Sequence, residues 1–143
     1  MAVDNFYNEV LTDHNLHPSH KHDICGATCE HRGINPSCGD DIVIKLKVED
    51  GVIKDGSYVG CGCAVSQASA DMMLDLVIGK SVEEAKRYHE IFLKMIRGTI
   101  TDEELDELED AQALKDIAHM PARVKCATLS WRTLGEILKQ AEE

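Results

Sequence analysis

A β-hairpin followed by helical segments is the feature of this sequence that most constrains the fold. In residues 42–48 apolar and charged side chains alternate, which is typical of a strand with one buried face. Asp50-Gly51 is a strong turn signal, and residues 52–59 are predicted as the returning strand. Gly60 ends this strand, and the pattern then changes to helical spacing. The sequence therefore predicts an α+β fold, with a small antiparallel sheet and helices packed on one side.

The segments after the hairpin carry helix signals. Ser81 with Glu84 and Thr101 with Glu104 form two capping boxes, each of which predicts the start of a helix. Pro121 interrupts the chain before the last helical segment. Apolar residues recur at spacings of three and four, which predicts one buried face for each helix. These predicted core residues are Val65, Ala68, Met72 and Leu76; Ala85, Tyr88, Phe92 and Met95; and Ala127, Trp131, Leu134 and Leu138.

The part of the chain before the hairpin is less regular. Asp4 is predicted to cap a first helix that ends near His14 and carries Phe6, Val10 and Leu11 on one side. Residues 15–37 contain Pro and Gly at several positions and show little periodicity. They are therefore predicted as a long loop.

The length and composition suit one soluble domain that spans residues 1–143. The longest apolar runs fall far short of the roughly 20 residues needed to cross a bilayer, and the first residues lack the features of a signal peptide. We therefore expect a cytoplasmic protein that does not enter a membrane.

The net charge of −11 argues against binding to nucleic acid or to anionic lipid, because both require a basic surface. Much of the acidic excess lies in residues 102–110. This segment is interpreted as a solvated helix face or, alternatively, as a docking surface for a basic partner.

Six cysteines in a reducing cytosol indicate metal ligands or catalytic thiols before they indicate disulfides. Cys38 lies in a predicted turn, where Gly39 gives the backbone the freedom to place Asp40 beside the thiol. Cys63 lies at a junction of strand and helix, and Cys126 is predicted just before or within the first turn of the last helix. The free N–H groups at a helix N-terminus stabilise a thiolate over a thiol.

Three thiolates with one carboxylate suit a tetrahedral Zn²⁺ site, or an iron–sulfur cluster with one oxygen-bound iron. Because a carboxylate holds a soft metal less firmly than a thiolate does, Asp40 should let such a site exchange its metal more readily than four cysteines would. The C-x-C pair of Cys61 and Cys63 indicates a metal by itself. Spacing alone does not connect this pair to Cys38 and Cys126. One or two of the six cysteines are alternatively buried structural residues, although not Cys38, Cys61 or Cys63, which lie among glycines.

The three cysteine segments resemble those of the U-type iron–sulfur cluster assembly family, which includes IscU, SufU and the N-terminal domain of NifU. The similar stretches are Asn-Pro-Ser-Cys-Gly-Asp (35–40), Gly-Cys-Ala-Val-Ser-Gln-Ala-Ser-Ala-Asp-Met-Met (62–73) and Pro-Ala-Arg-Val-Lys-Cys-Ala-Thr-Leu-Ser-Trp (121–131). The chain is most similar to the SufU branch, since the acidic segment matches the position of that branch's insertion. Lys125 also precedes the last cysteine, where IscU proteins have His.

The resemblance implies a three-stranded antiparallel sheet with helices packed on one face. It also implies Zn²⁺ bound by Cys38, Asp40, Cys63 and Cys126, and a pyridoxal-phosphate cysteine desulfurase of the SufS type as partner. The implied function is that of a zinc-dependent acceptor of persulfide sulfur. The alternative is a scaffold that assembles a [2Fe–2S] cluster and passes it to acceptor proteins or to the SUF assembly complex.

The resemblance leaves the sulfur-accepting thiol open. In SufU-like proteins it would match Cys38, and in IscU-like scaffolds it would match Cys126. Arg123 and Lys125 would then be positive neighbours of Cys126 that favour its thiolate. Residues 120–125 replace the Leu-Pro-Pro-Val-Lys motif of IscU proteins, so no chaperone partner of the Hsc type is expected.

Two features depart from the family pattern. Cys61 occupies the position of the middle ligand in IscU scaffolds, while Cys63 occupies the SufU position. The residues that follow favour Cys63, and Cys61 is interpreted as a substitute ligand or as a further ligand to a cluster. The second departure is a set of His and Cys residues that would form a second metal site, a Cys25–Cys29 disulfide, or merely a solvated loop. The set comprises His14, His17, His20, His22, Cys25, Cys29 and His31.

Overall fold

The predicted hairpin forms the centre of the structure. It joins strand β2 (Asp40–Glu49) to strand β3 (Val52–Cys61). Asp50 and Gly51 have φ angles of +53° and +75°, which is the conformation that a tight two-residue hairpin turn requires. Strand β1 (Cys29–Asn35) pairs with the other edge of β2, so the strand order is β1–β2–β3 and all pairs are antiparallel. The predicted three-stranded antiparallel sheet is thus confirmed.

The computed structural model describes residues 2–142, and for residues 2–8, 118, 141 and 142 it describes the backbone alone. Two capping boxes start helices where the sequence predicted them, because Ser81 and Thr101 each accept a hydrogen bond from the backbone N–H three residues on. A run of 3₁₀ turns, Glu109–His119, follows the second of these helices. The helices are α1 (Ala2–Leu16), α2 (Ala64–Val77), α3 (Val82–Arg97), α4 (Asp102–Glu107) and α5 (Pro121–Glu142).

Three boundaries differ from the sequence prediction. Helix α1 begins before Asp4, and the side chains of Asp4 and Phe6, predicted as cap and core, lie outside the described residues. Residues 29–35 were predicted as loop but form β1, because pairing with the hydrophobic strand β2 compensates for their weak alternation. Pro121 is the first residue of α5 rather than an interruption before it, since proline suits the first turn, where its missing N–H has no helical partner.

The loop between α1 and β1 crosses the outer face of the sheet. The carbonyl of His20 accepts a hydrogen bond from the N–H of Tyr58 on the edge strand β3, at 2.9 Å. The chain then places Asp23 2.8 Å from Lys45 Nζ on the central strand and pairs Thr28 with the carbonyl of Leu46. The inner face is left for the helices, as the sequence predicted.

The hydrophobic core lies between the inner face of the sheet and helices α2, α3 and α5. The rings of Phe92 and Trp131 stack with their centroids 4.2 Å apart. Trp131 Nε1 donates a hydrogen bond to Ser69 Oγ at 3.1 Å, and Ser69 Oγ donates to the carbonyl of Ala127 at 2.6 Å. These contacts tie the three helices together. Within residues 2–142, no helix is both long and apolar enough to span a bilayer.

Candidate metal centre

The turn between β1 and β2 presents Cys38. The N–H of Cys38 donates to the carbonyl of Asn35 at 3.2 Å, and Gly39 has a φ angle of +71° that L side chains rarely adopt. Asn35 and Asp40 are register partners across the turn and are both buried. The sulfur of Cys38, at the tip of the turn, remains exposed. The turn therefore holds one buried carboxylate next to one accessible thiol.

The Asp40 carboxylate is held by groups from two other segments. Its Oδ1 accepts hydrogen bonds from the backbone N–H of Cys63 at 2.8 Å and from Ser66 Oγ at 3.1 Å. Its Oδ2 has one long contact, with Asn35 Nδ2 at 3.4 Å. Asp40 is 1% exposed, so these donors replace the water that a carboxylate would otherwise require. Oδ2 is the oxygen that is better placed to bind a further group.

Cys63 is the N-cap of α2. Its Sγ accepts a hydrogen bond from the N–H of Ser66 at 3.4 Å, as expected of a sulfur at a helix start. Gly62 allows the chain to approach Asp40 closely, because a Cβ on this glycine would lie 2.8 Å from Asp40 Oδ1 and 2.5 Å from Ser66 Oγ. The prediction that Cys63 lies at a strand-to-helix junction is confirmed.

Cys126 approaches from α5. It is 2% exposed, and its Sγ lies 2.9 Å from the Sγ of Cys38 and 3.8 Å from Asn35 Nδ2. The prediction that Cys126 lies before or within the first turn of its helix is wrong: α5 starts at Pro121, which places Cys126 in the second turn. In the absence of a metal, burial raises the pKa of the Cys126 thiol, and the hydrogen bonds that this thiol makes to Cys38 and Cys63 add to the effect. The helix start therefore does not favour its thiolate.

These residues form one group of potential ligands. One ligand atom each from Cys38, Asp40 and Cys126 lies within 4.8 Å of the others. Cys63 adjoins the group, since its thiol interacts with Cys126 and its N–H binds Asp40. Sulfur and carboxylate oxygen are donors that Zn²⁺ accepts in a four-coordinate site, so the residues present fit a zinc ion.

The match of the sequence to known proteins agrees with this arrangement. Residues 6–127 match the family described as NifU-like N terminal domain. The chain belongs to the NifU-like N-terminal domain family. The predicted resemblance to the U-type proteins is thus confirmed.

Relatives of this NifU-like chain include both named branches. It is 43% identical over 140 residues to the iron–sulfur cluster assembly scaffold protein IscU of Thermotoga maritima, covering 98% of this chain and 97% of the relative. It is 37% identical over 140 residues to the zinc-dependent sulfurtransferase SufU of Bacillus subtilis, covering 98% and 94%.

Solved structures show the same fold. A putative iron–sulfur cluster assembly scaffold protein for the SUF system, from Fervidobacterium islandicum, superposes with a TM-score of 0.84 at 32% identity, covering 93% of this chain and 96% of the other. A nitrogen-fixing NifU-like protein (N-terminal) from Brucella abortus superposes with the same TM-score, 0.84, at 19% identity, covering 99% and 98%. At 19% identity the second likeness shows the fold alone.

In this NifU-like chain, the two candidates for the middle ligand, Cys61 and Cys63, occupy different places in the structure. Cys61 is the register partner of Asp41, so both residues share the sheet face opposite to that of Asp40. Cys61 is exposed, and Asp41 on the same face forms an ion pair with Arg32. Cys63, two residues further, is the cysteine that adjoins Asp40 and Cys126.

The other predicted site residues lie around or outside the group formed by Cys38, Asp40, Cys63 and Cys126. Arg123 and Lys125 are exposed on α5, and the side chain of Arg123 makes no hydrogen bond or ion pair with the described residues. Cys25 and Cys29 are not disulfide-bonded.

The sequence patterns assigned no role to Asn35 and Ser66, although both lie within three residues of a cysteine. Their polar side chains inside the cysteine segments were the available signal.

Proposed function

We propose that this protein is an iron–sulfur cluster assembly protein of the SufU type, which accepts persulfide sulfur from a cysteine desulfurase. The observation that carries the proposal is the pairing of an exposed thiol, Cys38, with a buried one, Cys126, at a sulfur–sulfur distance of 2.9 Å. A relative at 37% identity named as a zinc-dependent sulfurtransferase supports the proposal. Lys125 before the last cysteine and the acidic segment at 102–110 favour the SufU type over the IscU type.

The proposed zinc ligands are Cys38, Asp40, Cys63 and Cys126. When bound, zinc would keep the ligand thiols deprotonated at neutral pH. The chain holds the buried part of the set through hydrogen bonds to Asp40 and Cys63, which come from Ser66 and from the backbone. Asn35 contacts both Asp40 and Cys126 and keeps the two at a fixed separation.

Cys38 is the proposed acceptor because an incoming persulfide has to reach the thiol. Cys126 is 2% exposed and lies beneath the turn that carries Cys38. In the transfer, the Cys38 thiolate attacks the outer sulfur of the desulfurase persulfide. A new sulfur–sulfur bond forms on Cys38, the donor's sulfur–sulfur bond breaks, and the donor cysteine leaves as a thiolate. The outer sulfur keeps its proton, so the step needs neither an oxidant nor a reductant.

Asp40 would act as the weakest ligand of the site, and the positive charges of Arg123 and Lys125 would stabilise the negative charge that the attacking and leaving thiolates carry at its rim. Neither cation pairs with an acidic side chain among the described residues. Their substitution is expected to slow sulfur transfer without altering the metal content.

The deciding experiment incubates the zinc-loaded protein with a purified cysteine desulfurase of the SufS type, its pyridoxal phosphate and L-cysteine. Mass spectrometry after alkylation then locates the persulfide. We expect it on Cys38, together with faster desulfurase turnover that Cys38→Ser abolishes and Cys61→Ser preserves. Unchanged turnover on addition of the wild-type protein would reject the acceptor function, and persulfide on Cys126 alone would reject the assignment of Cys38.

A second candidate function is assembly of a [2Fe–2S] cluster for transfer to acceptor proteins. The relative at 43% identity, named as a scaffold protein, favours it, as do three thiols around one carboxylate. Anaerobic reconstitution with iron and sulfide, followed by Mössbauer spectroscopy, tests this function. A protein that remains colourless and retains zinc would reject it.

A further inference from the structure

A second group of potential metal ligands lies where α1 and the loop after it meet α2. His14 on α1 faces Asp71 on α2, with Nδ1 to Oδ2 at 2.6 Å. His20, in the loop after α1, faces Asp75 one turn further along α2, with Nε2 to Oδ1 at 2.6 Å. One ligand atom each from His14, Asp71 and Asp75 lies within 4.8 Å of the others. None of these residues belongs to the cysteine site.

The positions on α2 suit a shared ligand. Asp71 and Asp75 are four residues apart, so their carboxylates leave the same face of the helix. His14 is 5% exposed and Asp71 is 1% exposed, which restricts both side chains to the orientation seen. The backbone N–H of His20 donates a hydrogen bond to Asp71 Oδ1 at 2.9 Å and so directs Oδ2 toward His14.

A further carboxylate contacts the group from outside, and a cavity lies next to it. Asp110 Oδ2 lies 3.0 Å from the second ring nitrogen of His14, Nε2. A carboxylate on the far nitrogen is the usual support of a metal-binding histidine, because it fixes the ring and its tautomer. Asp75 and Asp110 both line a cavity of about 300 Å³, which gives a solvated ion access to the group.

We propose that His14, His20, Asp71 and Asp75 form a second metal site, which binds a divalent first-row transition ion such as Zn²⁺. Imidazole and carboxylate are the donors such ions accept in place of thiolate. Two carboxylates with two neutral imidazoles balance the charge of a divalent ion. The metal would thus take over from protonated His14 the role of balancing the charge of the buried Asp71.

A proton is the competitor of the metal. In the metal-free protein, the hydrogen bond to Asp71 raises the pKa of His14 to about 9, so a proton bridges this pair at neutral pH. The metal takes the place of that proton. Tetrahedral zinc ligands lie roughly 3.3 Å from one another, whereas the nitrogen–oxygen distances of the His14–Asp71 and His20–Asp75 pairs are both 2.6 Å. Binding therefore requires the two close pairs to separate slightly and His20 to move toward the group that His14, Asp71 and Asp75 already form.

The site explains part of the histidine-rich segment that the sequence singled out. Of that set, His14 and His20 reach α2, whereas Cys25 and Cys29 do not join a ligand group in the described part of the chain. The segment thus contributes two ligands from one side, and α2 contributes two carboxylates from the other.

Titration of the 143-residue protein with Co²⁺ near pH 7.5 tests the proposal. We expect two equivalents to bind, one with thiolate-to-cobalt charge-transfer absorption and one with weak visible bands alone. Asp75→Asn, at a half-exposed position, should weaken the second equivalent at least about tenfold. Asp106→Asn, an exposed acidic residue on α4, is the matched control and should leave both equivalents unchanged.

A further variant separates the two sites. Cys38→Ser should weaken the charge-transfer band and leave the second equivalent in place, so failure of the cysteine site does not count against the second one. Should Asp75→Asn unfold, as read by circular dichroism, Asp110→Asn replaces it with the same expected loss. The proposal would be overturned if the wild-type protein lacked the equivalent that has weak visible bands alone, or if both Asp75→Asn and Asp110→Asn kept it at wild-type affinity.

Discussion

The carboxylate of Asp40 accepts a hydrogen bond from the backbone N–H of Cys63 at 2.8 Å. This bond joins the start of strand β2 to the start of helix α2, although the two residues are 23 positions apart. A carboxylate next to a free N–H at a helix start is electrostatically favourable. Removing either partner should therefore disturb both the geometry of the cysteine group and its metal affinity.

The two neighbouring cysteines give the first prediction. Cys63→Ser should lower the zinc content of the purified protein, because Cys63 adjoins Asp40 and Cys126. Cys61→Ser should leave zinc content unchanged, because Cys61 lies on the other face of the sheet. Elemental analysis of both variants, purified in parallel, makes the measurement. Equal zinc loss in the two variants would contradict the assignment of Cys63.

Gly62 gives the second prediction. A Cβ at this position would lie 2.5 Å from Ser66 Oγ and 2.8 Å from Asp40 Oδ1. Gly62→Ala should therefore displace the Asp40 carboxylate and weaken zinc binding, while the fold persists because the added methyl meets the site rather than the core. Competition with a chromophoric chelator measures the affinity. The prediction fails if Gly62→Ala binds zinc as tightly as the wild-type protein.

The third prediction concerns the oxygen ligand. Asp40→Cys would replace the carboxylate by a thiolate, which binds zinc more firmly. We expect slower release of zinc to a chelator and lower sulfur-acceptor activity, since a four-thiolate site exchanges ligands less readily. Stopped-flow measurement of zinc transfer compares the rates. A rate equal to or faster than that of the wild-type protein would show that Asp40 does not set metal exchange.

The hairpin and the capped helices could be predicted from sequence because their signals are local. Alternation, the Asp50-Gly51 turn and the Ser81 capping box each act within a few residues. Strand β1 could not, because it depends on pairing with β2 rather than on its own pattern. Whether Cys61 or Cys63 lies on the same side as Asp40 likewise depends on the sheet register, because a one-residue shift would move each side chain of the strand to the other face.

The candidate site was predictable as a set of residues but not as an arrangement. Turns and helix starts drew attention to Cys38 and Cys63, yet the depth of Cys126 depends on where α5 begins. Its burial reverses the expected effect on its pKa, since desolvation acts against the thiolate. The approach of His14 to Asp71 had no local signal, because 57 positions separate the two residues.

The fourth prediction concerns stability. Phe92 is fully buried and stacks on Trp131, which joins α3 to α5. Phe92→Ala should lower the free energy of unfolding by about 3–5 kcal/mol, since it loses buried area and leaves a cavity. Leu16→Ala, at a position 69% exposed, is the control and should change it by less than about 0.5 kcal/mol. Urea unfolding followed by circular dichroism measures both, and similar values for the two variants would contradict the prediction.

The fifth prediction concerns His89, which packs on the backbone of α5 at Gly135. Burial lowers the pKa of His89 from its usual value, against the smaller opposite effect of Glu90. A lowered folded-state pKa means that His89 contributes stability above its unfolded pKa of about 6.5 and loses it as the pH falls through the folded pKa. Between about pH 7 and about pH 5, the wild-type protein should therefore lose more stability than His89→Gln does. Urea unfolding across that range, with an NMR titration of the His89 ring, makes the measurement, and a ring pKa at or above that of a free histidine would refute the prediction.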